Sequence, residues 1–484
     1  MKKSGLLALL ICLTLTFSGC SFQFMDSASM LRPPKTSKTE QEICAALTDA
    51  AGNQITLRYP RNGEYRSAIV TEDVDSDGDS EALVFYCASI DSAATSIALI
   101  DTVNGEWQLA ANIEGPGGNV DRLLFGDVLP NGKKEIIIGW SVSTGRGLLT
   151  VYTFENGTLV PVEIADEIGA EPQSAAGYTE VAVCDIDMDG SAEILTATLN
   201  TGVQSSSVRM LKCLSDGSSV KLYVAGSCAL DGSVTKYSEV KIGMLDDNHQ
   251  ALLIDSNKGT DVMVSEAVYW DAATANLYAP FNFGDDAAVS GTDRLALTAC
   301  SDMDGDGTVE FPRHTLLAGY SEQDQTKFYR TDWYSYDSAS GTLSRDTDVS
   351  SVIDTADGFY MLIPSQWNEI SVRRDQSTSS VSFFTVERSM ETVTVSADEA
   401  QDYAQVISVD EEDGTAEVVK ENVQLGTELF RIRSFDIADA SLLDDYGYTE
   451  LTRMSDLIWS VYIYNNDLDF DVSYNIIRAC FNVL

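Results

Sequence analysis

The chain has 484 residues, enough for one large repeat domain and a second small one. Its 75 acids stand against 31 bases, a formal charge of −44, which argues against a nucleic-acid partner because phosphates are met by Lys and Arg. Only two histidines occur, His249 and His314, and no GxSxG, HExxH or P-loop pattern is present.

Residues 1–19 read as an export leader: Lys2 and Lys3, an apolar run over 6–17, then Ser18-Gly19-Cys20. A run this short, ending on small residues, is a signal peptide rather than a spanning helix. The ending resembles the lipobox of bacterial lipoproteins, with Phe17 where that family usually carries Leu. The resemblance implies lipidation of Cys20 and anchoring on the extracytoplasmic face of a bacterial cell membrane. The other reading is a plain secretory signal with an incidental Cys. Residues 20–39 form a polar tether with Pro33-Pro34 and the cations Arg32, Lys35 and Lys38. A short helix is expected over 40–51.

From residue 55 to 352 short β-rich runs alternate with turn residues. Within this region a nine-residue loop recurs. It reads Asp73, Asp75, Asp77, Gly78, Asp79 and Glu81 in its first copy; Asp185, Asp187, Asp189, Gly190, Ser191 and Glu193 in its third; and Asp302, Asp304, Asp306, Gly307, Thr308 and Glu310 in its fifth. Carboxylates at positions 1, 3, 5 and 9, with Gly at 6, make an oxygen cage for a hard cation such as calcium, and position 7 supplies a backbone carbonyl. Two copies are eroded. Residues 127–135 carry Leu129 at the second acidic position, and residues 243–251 keep little more than Asp247 and Asn248. First positions fall at 73, 127, 185, 243 and 302, spaced 54, 58, 58 and 59 apart, a period of propeller blades or another repeat array.

Each period reads as four strands: 67–71, 82–87, 96–102 and 106–113 in the first; 122–125, 136–140, 148–154 and 159–164 in the second. Asn104-Gly105, Asn156-Gly157 and Ser340-Gly341 mark the turn before the last strand. The loop joins the first strand to the second. The fold class is therefore mainly β: a β-propeller over 40–353, five four-stranded blades favoured with six or seven left open, followed by a small α/β module over 354–484. Strand 55–59 is expected to pair into the last blade and close the ring.

These features resemble the FG-GAP/VCBS repeats of integrin-α-like propellers, with Phe125-Gly126 before Asp127 and Gly139-Trp140 after Glu135 echoing the FG and GAP pieces. The resemblance covers about residues 60–345. It implies structural calcium in about three loops, held by Asp73, Asp75, Asp77, Asp79 and Glu81; by Asp185, Asp187, Asp189, Ser191 and Glu193; and by Asp302, Asp304, Asp306, Thr308 and Glu310.

In the C-terminal module strands are expected over 358–364, 427–433 and 459–464, a capped helix at Ser396–Glu399 and a closing helix from Ser473 through Cys480. Its opening resembles PsbP-like α/β sandwiches. Cys87, Cys184 and Cys300 lie in apolar runs, which favours buried free thiols over disulfides. The function expected is that of a membrane-anchored binding or interaction module for an unidentified protein or glycan, without catalytic residues. The alternative is a carbohydrate-active enzyme using a pair of carboxylates across a sugar, with Trp107, Trp140, Trp270, Trp333 and Tyr334 as stacking platforms. The competing role of these aromatics is to fill blade interfaces.

Overall fold

Alternating apolar residues punctuated by tight turns lay the chain down as antiparallel sheets. The structure, a computed structural model, describes residues 37–52, 55–87, 94–142, 147–215, 220–281, 292–321, 324, 326–367, 369–402, 405–410, 413–464 and 472–484. The leader, Cys20 and the tether up to residue 36 lie outside the described residues.

The first sheet holds strands Thr56–Arg58, Ile69–Glu72, Glu81–Cys87, Ser96–Val103 and Glu106–Glu114. The second holds Asn119–Gly126, Glu135–Ser141, Gly147–Glu155 and Thr158–Pro161, with Ala176–Tyr178 added at one end. The third is built from Glu180–Cys184, Glu193–Asn200, Ser205–Ser215 and Val220–Leu230, and Ile164–Ala165 joins it in parallel. The fourth contains Lys236–Asp246, His249–Lys258, Val262–Asp271 and Asn276–Tyr278. The turns at Asn104-Gly105 and Asn156-Gly157 have positive φ at both residues, the geometry that favours Asn-Gly in a two-residue hairpin.

The fifth repeat departs from the expected four strands. Its incoming strand is reduced to an isolated bridge between Ser301 and Glu310. The sheet starts at Phe311–Leu316, continues through Tyr329–Asp337 and Thr342–Asp354, and is completed by Phe359–Leu362 and Phe481–Val483. Strand Thr342–Asp354 thus runs through the boundary expected at 353/354, and the C-terminal segment supplies two strands to the repeat region. The remainder of that segment is a six-stranded antiparallel sheet dominated by the long pair Ser380–Ser396 and Thr415–Asp436. Two short helices, Leu442–Tyr446 and Tyr474–Cys480, accompany it.

Each strand alternates its apolar residues between two faces, so every repeat sheet is buried on both sides. Leu83, Phe85, Ile97 and Leu99 of the first sheet pack against Ile136, Ile138, Trp140 and Phe154 of the second. Successive cores join second to third, third to fourth and fourth to fifth sheets. Leu317, Phe328 and Val352 of the fifth pack against Trp367, Val372, Phe383 and Phe430 of the C-terminal sheet. At the other end, Ala82, Val84, Ala98 and Ile100 turn the opposite face of the first sheet toward Ile43 and Leu47 of helix Lys38–Ala51. That helix begins in a complete capping box, Ser37 with Glu40. Among the described residues no apolar core joins the first sheet to the fifth.

Strand 55–59 does not pair into the last repeat. Strand Thr56–Arg58 pairs antiparallel with Glu81–Cys87 of its own sheet, Thr56 opposite Cys87. The reason is local: Ile69–Glu72 covers that edge only from Glu81 to Val84, which leaves residues 85–87 open to a second short strand.

Candidate metal centres

The loops expected to bind metal share one backbone design. The ninth-position glutamate is buried and turns one oxygen back onto the second-position N–H: Val74 to Glu81 Oε2 at 2.8 Å, Val128 to Glu135 at 3.1 Å, Ile186 to Glu193 at 3.1 Å and Met303 to Glu310 at 2.7 Å. The first-position aspartate accepts the sixth-position glycine N–H at Gly78, Gly190 and Gly307. Those glycines have φ near +97°, where a side chain would be strained. The fifth-position carboxylate accepts the seventh-position N–H, Asp79, Ser191 and Thr308 donating to Asp77, Asp189 and Asp306. Sequence alone dictates this turn: short acids that bond their own backbone, and a glycine where φ must be positive.

The loops also tie one sheet to the next. The eighth-position N–H of Lys134 donates to the carbonyl of Val74, that of Ala192 to Asp127 and that of Val309 to Met244, at 3.0 to 3.2 Å. Ser76 Oγ adds a bond to the carbonyl of Gly132. Each of these loops braces its neighbour.

Among the described residues three acidic groups could hold a metal ion: Asp73, Asp75 and Glu81; Asp185, Asp187 and Glu193; and Asp302, Asp304 and Asp306, each offering ligand oxygens within 4.8 Å of one another. Asp77, Asp79, Asp189 and Ser191 are exposed and fall outside these groups; Thr308 and the buried Glu310 fall outside them as well. In the first loop Asp73 Oδ1, Asp75 Oδ1 and Glu81 Oε1 are buried without a hydrogen-bond partner. Three acceptors with no donor among them are a poor arrangement for folded protein and a good one for a cation. Burial pushes Glu81 up to about 7, with Asp75 and Asp101 adding to it. Loop 302–310 is more open. Its aspartates are exposed, and burial pushes Glu310 up to about 7 with Asp304, Asp306 and Asp302 contributing.

The second acidic group differs. Lys212, from the strand Ser205–Ser215, sends its ammonium into the cage: to Asp187, to Asp189 at 2.7 Å and to Glu193 at 2.9 Å. Burial works against the charge of Lys212, but these three bonds outweigh it and hold its pKa above the ordinary lysine range. The eroded loop 127–135 also fills its own cage: the Asn131 amide donates to Glu135 Oε1 at 2.8 Å, taking over a role the missing acid leaves open. In loop 243–251, Asp246 pairs with His249 Nδ1 at 2.8 Å across a tight turn.

The third-strand residues beside the cages, Lys212 and Asp101, were not among the expected ligands. A signal existed: each sits on the core-facing parity of its strand, Asp101 after Ile97 and Leu99, Lys212 after Val208 and Met210, where an apolar residue belongs.

The aromatics go mainly to the interior. Trp140 and Trp333 are fully buried, their indole N–H groups held by Thr150 and Ser351, and Trp107 and Trp270 pack at core edges. Tyr334 lies under the Arg313 guanidinium. His314 is on strand Phe311–Leu316, half-buried, with Nδ1 on Thr331 Oγ1 and its pKa pushed down to about 4 by burial and by Arg294. The seven cysteines from Cys44 onward are free. No helix among the described residues is long and apolar enough to cross a membrane. A comparison with protein-family models finds no match for the chain, and a comparison with curated proteins finds none either.

Proposed function

We propose that this protein is a lipid-anchored extracytoplasmic binding module, its repeat region an array of five propeller-type blades braced by calcium in acidic loops. The observation that carries the calcium reading is loop 73–81, where three buried carboxylate oxygens converge without a donor. Calcium accepts six to eight oxygens with adaptable geometry, which suits a cage of aspartates and one glutamate whose other oxygen is held by the Val74 N–H. The ion's role is structural, because the same loops carry the sheet-to-sheet hydrogen bonds. The blades form an open array: the helix Lys38–Ala51 covers one end and the six-stranded sheet the other. Anchoring rests on the Ser18-Gly19-Cys20 ending and the Pro-containing tether, which hold the array off the lipid surface. The strongly acidic surface keeps such a module soluble and directs it to a protein or glycan rather than to nucleic acid.

Two measurements test this. Cys20→Ala is expected to move the protein out of the membrane fraction or leave its leader uncleaved; unchanged retention and gel mobility sink the anchor. Isothermal titration of the metal-stripped protein with calcium is expected to show binding that Asp75→Asn weakens; no heat of binding sinks the calcium reading.

A further inference from the structure

The strand register explains why two nearly identical acidic loops differ in their cation. In the first sheet Ala82 lies opposite Ile100, which places Asp101 beside Glu81. In the third sheet Ile194 lies opposite Leu211, which places Lys212 beside Glu193. The same position is Thr153 in the second sheet, where Ile136 faces Tyr152, and Ser335 in the fifth, where Phe311 faces Tyr334. In these four sheets one third-strand residue therefore stands opposite the ninth-position glutamate: an acid in the first, a base in the third and a neutral hydroxyl in the second and fifth.

We propose that this third-strand residue selects the cation of each loop: Lys212 is the built-in cation of loop 185–193, which takes no calcium, whereas Asp101 leaves loop 73–81 to a divalent metal. The inference rests on the calcium reading above and narrows it. Lys212 is 17% exposed and meets three carboxylates, among them Glu193 at 0% exposure. Asp187 Oδ1 is the one buried oxygen of that loop left without a donor, against Asp73 Oδ1, Asp75 Oδ1 and Glu81 Oε1 in loop 73–81. A divalent ion entering loop 185–193 has to expel that ammonium and break three charge-assisted bonds. Among the described residues no lysine is paired with Asp73, Asp75 or Glu81, with Lys133 acting on Asp75 only from a distance, and the register sets the additional acid Asp101 beside Glu81. An uncompensated cluster of like charges at buried positions is relieved by a metal. The third sheet is thus braced at all calcium concentrations, and the first only when calcium is present.

The test counts bound calcium on the purified full chain by equilibrium dialysis and follows melting in chelator. Lys212→Met is expected to bind one calcium more than the wild type and to melt lower than the wild type in chelator. Lys212→Arg, which keeps the charge, is expected to gain none. The reciprocal Asp101→Lys is expected to bind one calcium fewer and to melt higher in chelator, which keeps the test alive if Lys212→Met does not fold without metal. An unchanged calcium count in both Lys212→Met and Asp101→Lys overturns the proposal. So does a wild-type count that falls on Asp187→Asn, because calcium then already occupies loop 185–193. A wild type that binds no calcium while Lys212→Met binds one sinks the calcium reading for loop 73–81 and upholds the role of Lys212.

Discussion

Single side chains in this protein decide whether a buried acid is an asset or a cost. Glu81 and Glu193 occupy the same place in two loops, both nearly unexposed and both pushed up to about 7 by burial, but only Glu193 has an ammonium beside it. Removing the uncompensated charge by Glu81→Gln is expected to reduce the calcium-dependent rise in melting temperature, the part from loop 302–310 remaining, and to stabilise the metal-free protein at neutral pH; scanning calorimetry in calcium and in chelator checks both. Glu266 is another buried acid, away from the loops. It is 1% exposed, accepts the Asp231 N–H on Oε1 at 2.8 Å and has no partner on Oε2. Burial pushes it up to about 8 from an ordinary 4.5. A carboxyl raised on folding binds more protons in the native state, so its contribution is full below about pH 4.5 and is lost as pH rises through about 8. Glu266→Gln is expected to flatten the fall in melting temperature between pH 5 and about 8.5, and an unaltered slope would contradict this. The acids of the cages were legible in the sequence because their spacing is rigid. Lys212 and Asp101 were not, because they come from strands and reach the cages only through the register of the sheets.

At the scale of elements, period and turn chemistry made the middle strands of the first two repeats readable almost to the residue, whereas the expected strand 159–164 splits into Thr158–Pro161 and Ile164–Ala165, the latter joining the third sheet. Strand 82–87 was expected and Glu81–Cys87 forms; strand 148–154 was expected and Gly147–Glu155 forms. The helix expected over 40–51 forms as Lys38–Ala51, starting two residues earlier, inside the expected tether, because Ser37 and Glu40 make a capping box. What sequence could not supply was the partner of each short strand. Thr56–Arg58 and the terminal Phe481–Val483 are three residues each, too brief for periodicity, and their pairing is fixed by which sheet edge lies open. Helix Lys38–Ala51 caps the first sheet through Ile43 and Leu47, 1% and 0% exposed. Leu47→Ala is expected to cost about 2–5 kcal/mol, and Ser37→Ala about 1 kcal/mol, in the denaturant-unfolding step that includes the first sheet. If the helix is dispensable, neither change will move that step. Within the core, Trp140→Ala removes the ring shared by first and second sheets and is expected to cost about 3–5 kcal/mol.

Across the whole molecule, each sheet is completed by its neighbours, so the ends carry the most telling contacts. An even division at 353/354 followed naturally from the point where the period stops, but the fifth sheet needs Phe359–Leu362 and Phe481–Val483 to cover the edge of Thr342–Asp354. Its apolar face needs Trp367 and Phe383 as well. Truncation after residue 353 is therefore expected to lose hydrogen-exchange protection over 311–352 and to expose apolar surface that binds a hydrophobic dye; a truncated chain as protected as the full one would restore independent domains. Such an array stacks nearest neighbours, and its stability is a sum of sheets and interfaces. A metal that braces one interface then raises the stability of the adjoining sheets, by about 2.7 kcal/mol per site at 100 times the dissociation constant. The most direct measurement is calorimetric melting of the full chain in excess calcium and in chelator, with Glu81→Gln run beside it. The wild type is expected to melt higher and more sharply in calcium, and Glu81→Gln to show a smaller calcium shift; superimposed curves for the wild type would contradict calcium bracing.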